Sequence, residues 1–506
     1  MNQEDITEAI KTLRKLGAET RLIEAKSAKG GFPKCYDTIS SFSNKYGGII
    51  IFGLNENAGF KTEGVYDVKD LQKKLAEIGQ NAMTPSIHMD ILPLIFEGKD
   101  IVAARIHELP QSEKPCFRTQ DGMSRGSFTR VGDCDEHMTS YEIYALQSYR
   151  EGVQEDLRPI KRAELDDLNR EELDKYIQKI KQEKPNFSKN NRDKALKLSG
   201  IRSDSHPTLA GLLVFGDYPQ AFCPQLFVAC AAMPSDELGK TGKDGQRFDD
   251  NQRIEGTIEE MLTGTLSFLR RNMKTKVIID ESGKRKDIPE YPMLALREAV
   301  ANALVHRDYS IHTENAYIQV YMFSDRIEIL NPGALYGQNR IEKLGTDTMM
   351  ETRNPNIVRL LEEKDPVIAN GEARTLENRH TGIPTMRQEM QKYGLPEPEF
   401  IEEQGAFKVI FRKEVIDNRT VSRASDMVSD QVSDQVSDQV MRDADKLILH
   451  YCSRPRSTLE ITRALNMASR SYVMRAYIIP LIKSGKLRRT IPDKPNSRNQ
   501  KYIANS

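Results

Sequence analysis

Ile6, Ile10, Leu13 and Leu16 lie three or four residues apart at the start of the chain, and Gly17 follows the last of them. That period predicts an amphipathic helix over residues 1–17 that stops at the glycine. The pattern then changes. Residues 21–26 read as a strand, 35–45 as a helix, and Gly47-Gly-Ile-Ile-Ile-Phe-Gly53 as a buried strand, a β-branched run bounded by glycines. A strand at 100–107, loops and short strands over 110–131 and a helix at 140–150 complete a mixed α/β body predicted to span 1–150. Over 151–204 the chain turns to Lys, Glu, Asp, Asn and Arg, with helical patterns at 171–181 and 192–198, and is expected to be a helical connector. The apolar run 209–215 has the length of a buried strand and opens a second α/β body, 205–415, with a strand at 223–232 and a long helix near 254–272.

Ser-Asp-Gln-Val then occurs three times in succession, at 429–432, 433–436 and 437–440, and valines stand at 428, 432, 436 and 440. On a helix this makes one slowly drifting apolar seam. A polar spacer over 416–442, helical or disordered, accounts for it. A short self-associating helix is the alternative, although a coiled-coil seam alternates three and four rather than holding four throughout. Residues 443–506 form a small terminal domain.

The length of 506 residues agrees with about three domains. Hydrophobic residues at 38% and charged residues at 29% exclude a wholly disordered chain. Lys+Arg and Asp+Glu both total 74, so any attraction to nucleic acid must be local. No apolar run approaches the roughly 18 residues of a membrane helix, and the start lacks a basic, then apolar, secretory signal. A cytoplasmic protein without membrane association is therefore expected. The six cysteines form no Cys-x-x-Cys pair, and the eight histidines do not gather beside them at zinc-ligand spacing, so reduced thiols are expected.

The local charge appears at the end of the chain. Residues 453–501 hold twelve Lys/Arg against Glu460 and Asp493, a net of +10. Ser457-Thr-Leu-Glu460 reads as a capping box opening a helix to residue 465, residues 469–484 as a second helix, and 487–491 and 500–503 as two strands. The order is similar to a winged helix-turn-helix, which implies Arg470, Arg475, Arg488, Arg489 and Arg498 facing DNA phosphates. A winged helix used only for protein contacts is the alternative.

Residues 291–309 read Tyr-Pro-Met-Leu-Ala-Leu-Arg-Glu-Ala-Val-Ala-Asn-Ala-Leu-Val-His-Arg-Asp-Tyr, a strong helix former after its opening proline. Glu298 and Asn302 are four apart and share a face. Held there, a carboxylate and an amide oxygen can position Mg²⁺ and orient a water at a phosphate. On spacing alone an exposed Glu/Asn pair explains them better. Further on come Asp325-Arg-Ile-Glu-Ile-Leu330, then Asn331-Pro-Gly-Ala-Leu-Tyr-Gly337, and much later His380-Thr-Gly-Ile-Pro-Thr-Met-Arg387. With Thr208-Leu-Ala-Gly-Leu-Leu-Val-Phe-Gly216 as lead-in, this order resembles the Bergerat (GHKL) fold, in particular the RecG-like C-terminal ATPase module, over 205–415. The resemblance implies an α/β sandwich that binds ATP and Mg²⁺. Glu298 would be the general base of a slow turnover and Asn302 the residue reaching Mg²⁺ through the nucleotide. Asn331 and Gly333 would lie at adenine, and Gly382 at the phosphates. An amide offers adenine a matching acceptor and donor, and a glycine lets backbone approach base or phosphate. Asn331 stands where the superfamily usually has Asp, the Asp-Ala that often follows its Glu-x-x-x-Asn N-box, here Glu298 and Asn302, is absent, and the last loop is Thr-Gly-Ile rather than Gly-rich. Residues 362–379 read equally as a lid over the nucleotide or a solvated loop. No Gly-x-x-x-x-Gly-Lys-Ser/Thr loop is present, which leaves helicase activity unsupported.

Near the N-terminus Glu19, Glu24 and Lys26 lie together, and Glu24 and Lys26 project to one side of a strand. Acids beside a lysine suit metal-dependent phosphodiester cleavage, and a solvated strand face explains them without catalysis. With Phe42, Asn44, Gly47 and Gly48 as a Phe-x-Asn-x-x-Gly-Gly motif and Ser127-Phe-Thr-Arg-Val-Gly132 further on, the segment resembles the Schlafen AlbA-like domain over about 15–150. That family includes nucleic-acid binders and RNA-cutting members with two glutamates, here Glu19 and Glu24, and a third acid, for which only Glu56 is placed.

The fold expected is thus α/β and α+β multidomain. An ATP-binding, nucleic-acid-binding regulator is expected, in which nucleotide state modulates engagement of DNA or RNA, or assembly into a homo-oligomer such as a dimer. The alternative is a Schlafen-like nuclease acting on RNA or DNA, as in phage defence.

Overall fold

Asn2 and Asp5 cap the first helix reciprocally: Asp5 N donates to Asn2 Oδ1 at 2.8 Å and Asn2 N to Asp5 Oδ2 at 2.9 Å. The helix runs Gln3–Leu16 and ends at Gly17 with φ +66°. In the computed structural model, residues 1–413 are described except 243–244, 280–284, 347–349, 365–366, 370–371, 375–381 and 404, together with parts of 448–504. The chain divides into two compact units, Met1–Gln147 with Arg419–Ser506, and Ser148–Asn418.

The N-terminal segment is built on a four-stranded sheet in the order Ile23–Lys26, Gly48–Phe52, Lys99–Ile106, Met89–Phe96, of which only the first pair is parallel. Side chains alternate across it, as a strand period of two requires. Ile51, Ile101 and Ala103 pack with Ile6, Ile10 and Leu13 of the first helix. Ile50, Phe52, Val102 and Ala104 pack with Ile39 and Phe42 of helix Tyr36–Asn44 and with Leu71 and Leu75 of helix Val68–Glu77.

The Ser148–Asn418 unit holds a six-stranded sheet in the order Asp250–Ile254, Val228–Ala232, Ile318–Met322, Arg326–Pro332, Ala406–Arg412, Glu399–Glu403. Val228–Ala232 and Ile318–Met322 run parallel and the other pairs antiparallel. Helices Ile258–Asn272, Met293–Val305 and Gly382–Lys392 share one apolar core with this sheet, the layering of an α/β sandwich. The run 209–215, expected as a buried strand, is a helix, Leu209–Phe215, with every residue buried. Thr208 caps it, its Oγ1 accepting from Gly211 N at 3.0 Å. A helix buried all round loses its polar stripe, so its period is erased and it reads as a short strand. Helices Arg170–Glu183 and Arg192–Leu198 place Leu173, Tyr176, Ile177, Ile180 and Leu196 in the same core.

At the C-terminal end the described residues include a three-stranded antiparallel sheet, Arg456–Ser457, Lys501–Ala504, Leu487–Arg489 in that order. It packs Leu487 and Tyr502 against Ile448, Ile461, Ile478 and Leu481. Ser457 and Glu460 make the expected capping contacts, Ser457 N to Glu460 Oε2 at 2.8 Å and Glu460 N to Ser457 Oγ at 3.3 Å. The Ser-Asp-Gln-Val repeats lie outside the described residues. Among those residues no helix is long and apolar enough to cross a membrane.

Candidate functional site

Pro292, at φ −66°, precedes the Met293–Val305 helix, which buries Ala295, Leu296, Ala299, Val300 and Leu304. Glu298 and Asn302, one turn apart, instead face a cleft of ≈1160 Å³, open to solvent. Asn331, Gly333 and Gly382 line the same cleft. All five predicted nucleotide-site residues therefore converge, although they come from three separate elements.

Asn331 is near the end of strand Arg326–Pro332, paired with Phe407 and 7% exposed. Its Oδ1 accepts no hydrogen bond among the described residues. Gly333, at φ +112°, donates its N–H to Gly405 O at 2.8 Å, and a Cβ there would lie 2.5 Å from Asp308 Cβ. Gly382 opens helix Gly382–Lys392 with its backbone against the N-box pair; a Cβ would lie 3.1 Å from Glu298 Oε2 and 3.2 Å from Asn302 Nδ2. Ile329, Met386, Phe400, Phe407 and Val409 give the cleft an apolar wall, with the two phenylalanine rings stacked 6.1 Å apart. An apolar slot with one unpartnered amide oxygen, beside glycine backbone at a helix start, fits a purine nucleotide.

The sequence alone did not single out the rim. Arg353 donates from Nη2 to Ala334 O at 2.7 Å and lies over Tyr336, 5.3 Å from its centroid. Glu351 accepts from Tyr149 Oη at 3.1 Å. These contacts fix the loop after Asn331 from residues well separated in the chain. In the expected lid, residues 367–369 and 372–374 form a two-stranded ribbon, and 375–381 lie outside the described residues.

In the N-terminal segment Glu24 and Lys26 do share a side of the strand, and Lys26 Nζ bonds Glu24 Oε1. Arg130, 2% exposed, takes the other oxygen, Nη2 to Glu24 Oε2 at 2.8 Å, and donates to Thr20 O at 2.9 Å. Its Nη1 reaches Asp135 Oδ1 at 2.8 Å. Glu19 Oε1 accepts from Ala25 N at 2.9 Å. Burial, then the charges of Glu24 and Glu56, push its carboxyl up to about 8. Among the described residues no group of three or more His, Cys, Asp or Glu is placed to hold a metal ion. The motif residues have structural tasks. Asn44 donates to Cys116 O at 2.8 Å and Phe128 O at 2.9 Å and accepts from Cys116 N at 2.6 Å. A Cβ on Gly48 would lie 2.5 Å from the Phe42 ring.

Of the basic C-terminal residues, Arg488 is exposed and Arg489 half-buried on strand Leu487–Arg489, while Arg470, Arg475 and Arg498 lie outside the described residues.

Residues 19–139 match the family model described as Schlafen, AlbA_2, and residues 315–411 the one described as Putative ATP-dependent DNA helicase recG C-terminal. The chain carries a Schlafen AlbA_2 domain and a RecG-like C-terminal HATPase module. Asn331, Gly333 and Gly382 fall inside the second match, and Glu298 and Asn302 just before it. Residues 145–229 match a domain of unknown function, DUF8451. Residues 444–503 match the C-terminal domain of Filamentation induced by cAMP protein Fic-like, where a winged helix-turn-helix was expected. Among solved structures, the DIP2311 protein from Corynebacterium diphtheriae is 15% identical over 99% of this chain and 97% of its own, with a TM-score of 0.37. The N-terminal domain of a putative ATP-dependent DNA helicase RecG-related protein from Nitrosomonas europaea is 21% identical, covering 26% of this chain and 92% of its own, TM-score 0.22. A Fic family protein from Desulfovibrio desulfuricans G20 is 26% identical over 18% of this chain and 23% of its own, TM-score 0.12. No curated protein matches significantly.

Proposed function

We propose that this AlbA_2 and RecG-like protein binds ATP in the Glu298–Asn302 cleft, and that nucleotide state modulates how it engages nucleic acid or a second copy of itself. The observation that carries this is the convergence of Glu298, Asn302, Asn331, Gly333 and Gly382 on one cleft, with Asn331 Oδ1 buried and unpartnered among the described residues. Asn331 would accept from the adenine amine, and the Gly333 backbone would pass close to the base. The first N–H groups of helix Gly382–Lys392 would meet phosphate oxygens. Asn302 would reach the nucleotide's Mg²⁺, and Glu298 would orient and deprotonate an attacking water. Bound ATP supplies a transferable γ-phosphoryl group, so slow hydrolysis is the chemistry this arrangement serves. The order of the three C-terminal strands supports a winged helix as the DNA-facing element, with Arg488 exposed on its second strand.

Isothermal titration of wild type and Asn302→Ala with ATP and Mg²⁺ tests the site. Saturable binding in the wild type that is lost in Asn302→Ala supports it; absence of heat in both removes it. Repeating a gel shift on labelled DNA with and without ATP tests the coupling, which an unchanged shift would eliminate.

Nuclease activity ranks second. The charges of Glu24 and Glu56 both act on the Glu19 carboxyl, which favours it. Against it, both Glu24 oxygens are engaged by Lys26 and Arg130. Incubation with tRNA and with DNA plus Mn²⁺ decides, since cleavage that survives in Glu24→Ala clears these acids of the role.

A further inference from the structure

Tyr46 stands where neither packing nor backbone preference calls for a tyrosine. It follows helix Tyr36–Asn44 at φ +70°, a conformation bulky L-residues rarely adopt, yet the residue stays 36% exposed. A tyrosine serving the core would turn inward.

The turn that carries it is rigidly held. Lys45 N donates to Ser41 O at 2.9 Å and Gly47 N to Phe42 O at 3.0 Å, while Asn44 is fastened by its three buried hydrogen bonds. Ile49 N donates to Leu22 O at 2.8 Å, which brings residues 21 and 22 alongside the turn. From there the Arg21 guanidinium lies 4.9 Å from the Tyr46 ring centroid, and Lys45 Nζ lies 5.4 Å from it. Neither cation has a carboxylate partner among the described residues. Strain kept at an exposed position, by neighbours that over-determine it, marks function rather than folding.

We propose that Tyr46, Arg21 and Lys45 form a stacking site for single-stranded nucleic acid, the ring taking a base face and the two cations the flanking phosphates. The site rests on the nucleic-acid reading above and gives it a location. Two uncompensated cations select an anionic partner, and an exposed ring selects one with free aromatic faces. Duplex DNA keeps its base faces stacked inside and offers the ring nothing, so the preference is for single strands.

Fluorescence anisotropy on the full chain, with short fluorescein-labelled single strands of DNA and RNA and the matching duplex, tests this. Tyr46→Gly is the decisive variant, because glycine accepts the positive φ without strain and so keeps the turn. It should bind single strands about tenfold or more weakly, with duplex binding unchanged, whereas Tyr46→Phe stays near wild type. Arg21→Ala should flatten the log-log salt dependence by about one unit. A wild type that binds single strands and a Tyr46→Gly that binds them equally well overturn this site alone. A wild type that binds no nucleic acid overturns the broader reading along with it.

Discussion

Arg130 Nη2 lies 2.8 Å from Glu24 Oε2, with 1% and 4% of the two side chains exposed. The other arm of the same guanidinium holds Asp135, which also accepts from Thr38 Oγ1 at 2.7 Å. One arginine therefore compensates two carboxylates and fastens strand Phe128–Val131 to the start of the sheet. Taking away one member of a buried pair strands the others, at a cost of about 3–5 kcal/mol. Arg130→Leu is expected to lose that much in urea unfolding, and Arg130→Lys, which keeps the charge without the fork, to fall between. A loss below about 1 kcal/mol for Arg130→Leu would show that the pairs contribute little.

Glu19 gives the same segment a pH signature. Its carboxyl is pushed up to about 8 in the folded chain from 4.5, first by burial and then by Glu24. The folded state thus holds a proton that the unfolded state has released, so this contribution is fully present below pH 4.5 and lost as pH rises through 8. Glu19→Gln has no such proton. The stability difference between Glu19→Gln and wild type should shift in the variant's favour between pH 5 and pH 8.5, read by thermal melts across that range; parallel profiles would dismiss the shift.

Most of this body was legible because its signals are local. The period of Ile6, Ile10 and Leu13, the glycine after them and the β-branched run before Phe52 each mark an element from a few neighbours. Arg130 and Glu24 are 106 residues apart, and no local pattern links them. The motif residues were legible as a set but not in their tasks. Asn44 and Gly48 read as family markers, and the structure shows them to be a backbone clamp and a seat for the Phe42 ring.

The two cleft glycines should separate folding from binding. At Gly333 a side chain meets both a φ of +112° and an approach of 2.5 Å to Asp308 Cβ, so Gly333→Ala is expected to lower the melting temperature as well as nucleotide affinity. At Gly382 the backbone is not in the left-handed region and an added methyl has Glu298 Oε2 and Asn302 Nδ2 as its nearest contacts, at 3.1 and 3.2 Å. Gly382→Ala is therefore expected to fold like wild type while weakening ATP binding about tenfold. Scanning calorimetry beside a nucleotide titration checks both, and an unstable Gly382→Ala would contradict the reading of that residue.

The candidate site was legible for a different reason from the fold. Its residues occur in an order, helix then strand-loop then second loop, that survives without knowing how the strands pair. What could not be read was the rim. Arg353 reaches Ala334 and Tyr336 across a loop, and Tyr149 reaches Glu351 across 202 residues. Run 209–215 was misread because complete burial removed the polar stripe that identifies a helix.

Asn331 offers the sharpest test of whether the cleft is built for a ligand. Its Oδ1 is buried without a donor among the described residues, which costs about 1–3 kcal/mol relative to a satisfied or apolar group. Among the described residues nothing bonds the amide oxygen: the residue's strand pairing with Phe407 uses backbone alone, and Ile329 and Val409 nearby are apolar. A leucine, branched at the same carbon though bulkier, would remove the unsatisfied oxygen and join that apolar wall. Asn331→Leu is therefore expected to raise the melting temperature by a few degrees while weakening ATP binding tenfold or more, the opposite signs expected of a residue retained for binding. Asn331→Asp keeps an acceptor for the adenine amine and should retain nucleotide better than the leucine variant. If Asn331→Leu instead destabilises the protein and leaves ATP affinity intact, the amide is a structural residue and the adenine contact must be sought elsewhere in the cleft.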